Sequence, residues 1–401
     1  MLRAVTLLLA GLSLTTPAQA EPAKTSGHYL FVWNQDRAKE GNDFLAVIDA
    51  DPGSAHYGHL ITSIATDQKS IRAHHTEYEM PASGMLFAND HDANRTMIFD
   101  LRDPLKGRVA ASFEGLGGFS MPHSFVRLPN GRVLATFQFA DRDGKMAMNS
   151  KSGGLVEIDD SGKAVRSASN VDPAHGDEGL LPYSLAVLPK IDRVLVTNSP
   201  MGDDFLLTSN TYQMFRLSDL KLLGTYRFDP GPSLDGHVSP EEPRVGPDGS
   251  VYAQTLSCGV QRVTGLDGTP KATLVHKFPG EWCGVPTIVG HYLIQSVPAI
   301  HGYIVLDIAD GMKPVEVSRL TISEDYQPHW TTWDSKARRL VITPQKSSGR
   351  MYLLKLDEAT GALTIDSAFS EDGTPGFSFA KRAWPHGWTG EGAPHGAVFS
   401  R

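Results

Sequence analysis

Seven times along the chain a short β-rich run ends near an aspartate, turns, and is answered by a second run. The copies lie at Asp43–Ile64, Arg95–Phe113, Gly153–Val165, Tyr212–Arg227, Cys258–Phe278, Gly302–Leu320 and Gly349–Phe369. Ahead of most copies lies another hairpin with its own turn, as in Pro122–Gln138, Pro182–Ser199, Glu242–Leu256 and Pro328–Thr343. Two hairpins make four strands, and a spacing of roughly 45–60 residues per unit is that of a propeller blade. A pair of stacked sheets would use similar strands but gives no reason for seven repeats. Long apolar stripes of helical period are missing. The expectation is therefore an all-β, seven-bladed β-propeller.

The two ends bear on how the ring closes. The first copy is preceded by one strand only, His28–Asn34, whereas the last is followed by a strand-like tail, Ala393–Arg401. The tail is expected to pair into the first blade and remove the open edge that a ring of sheets would otherwise leave.

Residues 1–20 read as a secretory signal peptide: Arg3, then the apolar stretch Val5–Leu14, then Ala18-Gln19-Ala20 as a small-x-small cleavage site. About ten apolar residues are too few to cross a bilayer. Residues 21–401 are then one propeller domain, periplasmic or secreted, with no membrane insertion. With 37 basic and 45 acidic residues the net charge is −8, and no basic run interrupts the chain. That argues against nucleic acid as a partner. A small-molecule substrate is the partner expected. Two cysteines, Cys258 and Cys283, could form a disulfide in an oxidising compartment, stay as buried thiols, or supply a thiol ligand.

The innermost strands of a propeller line its central channel. Counting back six residues from each inner hairpin turn lands on His75, His123, Tyr183, Glu241 and His329, and His395 follows Pro394 as His123 follows Pro122 and His329 follows Pro328. The sixth blade offers no clear position near Pro286. Imidazoles converging from separate strands suit a transition metal, above all copper, zinc, iron or nickel; calcium wants a cage of oxygens instead. His74 is adjacent to His75, and both can face the channel only if the backbone bends there. The expected metal set is thus His74, His75, His123, His329 and His395. Tyr78 and Glu79 are candidates to orient it, and His386, close to the tail, is a candidate either to support a ligand or to serve as an alternate one. His91 and His276 read as turn or strand-surface residues. No nucleophile elbow, phosphate loop or His-Glu-x-x-His helix is present.

The segments HHTEYEMPASGMLFAND (His74–Asp90), MPHSFVRLPNGRVLATFQ (Met121–Gln138), PEEPRVGPDGSVYAQTLSCGVQRVTGL (Pro240–Leu266) and the tail WPHGWTGEGAPHGAVFS resemble the selenium-binding protein/methanethiol oxidase family. The resemblance runs in collinear order over roughly residues 28–400. It implies a seven-bladed propeller and, by its periplasmic bacterial members, a copper enzyme with histidine ligands. Those ligands would be His74 and/or His75, His123 and His395, with His329 a neighbour. The cysteine-rich segments of animal members are absent, so selenium attachment and thiol chemistry of the protein itself are not implied. The leading expectation is a copper-dependent oxidase of a small thiol such as methanethiol. The alternative is a non-catalytic propeller that binds a protein or small ligand at the channel mouth. A lactonase-like hydrolase ranks last, because its hard cation would need carboxylates and the ring offers only Glu241 or Glu242.

Overall fold

The computed structural model describes residues 27–401, apart from 143–144, 147–149, 177–178, 202–208, 232–237 and 346–348. The expected signal peptide at 1–20 lies outside the described residues. Among those residues every regular element is a strand or a single 3-10 turn. The strands build seven blade sheets of four or five antiparallel strands. The innermost strands, in blade order, are Gly392–Phe399, Ala73–Thr76, Phe119–Arg127, Pro182–Leu188, Pro240–Val245, Thr287–Val289 and Pro328–Asp334. Each touches the next around a closed circle. The seven repeated cassettes are the outer strand pairs of the seven blades, and the hairpins ahead of them are the inner pairs.

The alternation of side chains across each sheet explains the core. Middle strands are apolar on both faces because each blade is sandwiched between two others. Phe31, Trp33, Leu45 and Val47 of blade one, for example, pack on Leu86, Ala88, Met97 and Phe99 of blade two. Outermost strands such as Ala164–Ser169 alternate instead between half-buried and exposed residues.

Closure is as expected. The tail strand Gly392–Phe399 pairs with Tyr29–Asp36, so blade one is built from both ends of the described chain. The seam with blade seven is sealed by Leu30, Val32, Phe44, Trp330, Val341, Met351 and Ala397. At its far end the seam is clasped by polar groups. His28 Nε2 lies 2.7 Å from Asp334 Oδ2 of blade seven, and its Nδ1 lies 3.2 Å from Ser400 Oγ.

Cys258 and Cys283 form a disulfide between Cα atoms 5.0 Å apart, and both are fully buried. The bond ties a turn of blade five to the segment that leads into blade six. It closes a loop over a sequence separation of 25, so losing it should destabilise the protein by about 3 kcal/mol. Comparing the urea midpoint of the wild type with that of a Cys258→Ser/Cys283→Ser variant tests this, and equal midpoints would refute it.

Candidate metal centre

The channel wall owes its chemistry to a repeated irregularity. On six of the seven blades the inner strand slips register against its neighbour at the same place: between Ala73 and Thr76, Pro122 and Phe125, Pro182 and Leu185, Pro240 and Pro243, Pro328 and Trp330, and Pro394 and Ala397. A bulge of this kind sets two residues against one and re-aims side chains, so consecutive residues can both face the channel.

The bulge leaves a backbone N–H without its ladder partner, and a side chain of the second strand supplies one. His75 N donates to Asn89 Oδ1 (2.7 Å), Ser124 N to Thr136 Oγ1 (3.0 Å), Ser184 N to Thr197 Oγ1 (3.2 Å) and Glu242 N to Gln254 Oε1 (3.4 Å). Such residues also bolt each blade to the next. Asn89 donates to the carbonyl of His123, Thr136 to that of Tyr183, Thr197 to that of Glu241 and Thr343 to that of His395.

These equivalences sort the wall into two levels. One carries His74, His123, Tyr183, Glu241, His329 and His395; the other carries His75, Ser124, Ser184, Glu242, Trp330 and Gly396. Counting back six residues from the turn therefore gives the wrong histidine on blade two. His74, not His75, is level with His123, because the hairpin of blade two is longer: Thr76 pairs with Ala88, where Phe125 pairs with Ala135. The sixth blade passes the ring as Gly284-Val285-Pro286. A Cβ on Gly284 would lie 2.8 Å from His329 Nδ1, so the gap there makes room for that imidazole.

All five expected histidines meet in one cluster. The His74 ring stacks on those of His75 and His395, with centroids 4.1 and 4.3 Å away, and lies 4.9 Å from His123. His75 is 4.6 Å from His123, and His329 is 4.5 Å from His395. Two trios hold their ligating atoms within 4.8 Å of one another: His74, His75 and His395, and His75, His123 and Glu242. His329 adjoins through His395. Each of the five imidazoles keeps one buried ring nitrogen without a hydrogen-bond partner: Nδ1 of His74 and His395, and Nε2 of His75, His123 and His329. An unsatisfied buried nitrogen costs free energy unless something fills its lone pair, so five in one place fit an ion.

Burial, aided by mutual repulsion, holds His74, His75, His123 and His395 well below the usual 6.5, and burial alone draws His329 down to about 4. The imidazoles are therefore neutral near pH 7, which is the ligating form.

Beneath the imidazoles lies a polar floor. Glu242 Oε2 accepts from Ser184 Oγ (2.6 Å), Tyr78 Oη (2.7 Å) and Arg244 Nη1 (3.3 Å). The Tyr78 ring is sandwiched, with Trp330 stacked on one face at 4.6 Å and the Arg244 guanidinium 3.9 Å from its centroid. Tyr183 donates to Glu241 Oε1 (2.9 Å), and burial pushes the Glu241 carboxyl up to about 8.

Of the supporting candidates, Tyr78 thus reaches the centre through Glu242. Glu79 does not; it lines a surface cavity of about 510 Å³ with Arg127, Arg132 and Asp160. His386 is corrected as well. Its Nδ1 lies 2.6 Å from Ser63 on the outermost strand of blade one, away from the channel. His91 is the opposite case. The sequence places it in a turn, which is correct, yet it is fully buried 5.9 Å from His74 and 5.6 Å from His123, with Nδ1 2.8 Å from Asp92.

No protein-family profile matches the chain. A methanethiol oxidase from Ruegeria pomeroyi is 28% identical to it over 144 residues, 34% of this chain and 31% of that protein, so the chain spans about a third of that relative's length in the match. A hypothetical selenium-binding protein from Sulfolobus tokodaii superposes with a TM-score of 0.72 at 15% identity, covering 95% of this chain and 94% of that one. The fold is shared with that protein. A periplasmic gluconolactonase from Pseudomonas aeruginosa superposes at 0.62 and 13% identity, over 93% and 99% of the two chains, which likewise shows common architecture alone.

Proposed function

We propose that this protein holds a copper ion among His74, His75, His123, His329 and His395 and oxidises a small thiol such as methanethiol. The observation that carries the reading is the convergence of five neutral imidazoles, each with a buried, unpartnered nitrogen. An all-nitrogen donor set favours late transition metals, and copper heads the affinity order. Methanethiol enters through the partial likeness to the Ruegeria pomeroyi enzyme. When bound, copper supplies one-electron redox chemistry and a soft acceptor for sulfur.

The chain's own residues do the rest. His395 is the most exposed of the five, so a substrate approaches from its side of the channel. On the floor side Trp330 and Glu242 are fully buried, and Tyr78 stacks on Trp330. Glu242, fixed by Tyr78, Ser184 and Arg244, places a carboxylate oxygen 3.6 Å from His75 Nδ1 and steadies that ring. A periplasmic or secreted location accords with the Cys258–Cys283 disulfide, since such bonds persist in oxidising compartments.

Copper analysis of protein expressed with its leader, together with oxygen uptake on methanethiol, tests the proposal. About one copper per chain is expected for one such site, and fewer than about 0.1 would overturn it. Full copper without any turnover would sink the oxidase reading and leave a metal-binding propeller.

A further inference from the structure

We infer that Ser124 is a positioning residue that fixes the tautomers of His75 and His123. The inference takes its purpose from the metal reading above, but its geometry is independent of any ion. Ser124 sits beside His123 on the bulged strand, and its hydroxyl lies at the meeting point of three polar atoms. His123 Nδ1 is 3.1 Å away, His75 Nδ1 3.3 Å and Glu242 Oε1 3.4 Å.

A serine hydroxyl has one hydrogen and two lone pairs. Glu242 Oε2 already accepts from Tyr78, Ser184 and Arg244, so this carboxyl serves as an acceptor, and the Ser124 hydrogen turns to Oε1. That leaves the two lone pairs of Ser124 for the two imidazoles. Each donates its single N–H from Nδ1. Both Nε2 atoms are then bare, and these are the nitrogens that stand buried and unpartnered. One hydroxyl thus makes two imidazoles from different blades offer lone pairs together, so neither keeps a proton where an ion would sit. Outer partners of ligating histidines commonly fix the ring in this way.

Nitrogen-15 NMR of histidine-labelled, metal-free protein reads the tautomers directly. In the wild type, His75 and His123 should both show the Nδ1–H form. Ser124→Ala should move at least one of them toward Nε2–H, and Ser124→Thr, which keeps the hydroxyl, should restore it. Copper affinity should fall about 10–100-fold in Ser124→Ala, as is typical for loss of an outer partner, and recover in Ser124→Thr. A wild-type spectrum with the proton on Nε2 of either residue overturns the inference, as does a Ser124→Ala spectrum identical to it. So does a bound ion seated between His75 Nδ1, His123 Nδ1 and Glu242. Should Ser124→Ala fail to fold, the wild-type spectrum alone decides. If the wild type binds no copper, the oxidase proposal fails while the tautomer result stands on its own.

Discussion

His123→Ala should weaken copper binding by more than a hundredfold, beyond the roughly 10–100-fold expected of a residue that merely supports a ligand. His123 is fully buried, its Nε2 has no partner, and its ring touches those of His74, His75 and Tyr183. The fold should survive, because the apolar faces of blade three, from Phe125 through Phe137 to Val156, are untouched. His276→Ala is the control. That residue lies on the outermost strand of blade five, Lys271–Lys277, packed on Phe278, and its loss should leave copper loading unchanged. Competition titration with a chromogenic copper chelator reads both. Equal affinities for His123→Ala and the wild type would remove His123 from the centre. Equal losses in both variants would mean that the measured copper is not in the channel.

Removing Gly392–Arg401 should abolish the cooperative fold. The strand Gly392–Phe399 buries Ala397, Val398 and Phe399 and supplies the inner edge of blade one along Tyr29–Asp36. Burial of those side chains contributes several kcal/mol at about 25 cal/mol per Å². The unpaired edge and the lost clasp to His28 add to that, against a net stability of about 5–15 kcal/mol for a typical domain. The truncated chain should lack the wild-type thermal transition by circular dichroism. A transition within about 5 °C of wild type would show that closure is dispensable. His395→Ala separates the strand's two roles, since it should keep the transition and lose copper affinity.

The architecture was legible because its signals are local. An aspartate, a turn and a β run recur seven times, and each such cassette needs only its own neighbours to become the outer pair of a blade. The missing strand ahead of Asp43 and the surplus strand after Ala393 likewise announce their pairing. Levels in the channel were less legible, because they depend on strand register, and register depends on bulges and hairpin lengths that composition hardly marks. Blade two shows this: its longer hairpin shifts the count by one and exchanges His74 for His75. Counting along one strand also misses His91, which approaches the cluster from a turn after the second strand of blade two. Glu242 was visible only as a neighbour of Glu241. That it forms the floor depends on Tyr78, Ser184 and Arg244, which converge on it from three blades.

The seam between the last blade and the first has a consequence for timing. His395 stands on the strand translated after every other described strand, and it stacks on His74, which is translated more than three hundred residues earlier. A chain still leaving the ribosome therefore carries His74 and His75 but not His395, the third member of their trio. Such a partial cluster, spread over an open arc of blades, has no fixed geometry with which to discriminate among ions. On the metal reading proposed above, ion selection is deferred until the ring is whole, and the compartment in which the ring closes would decide which metal the protein first meets.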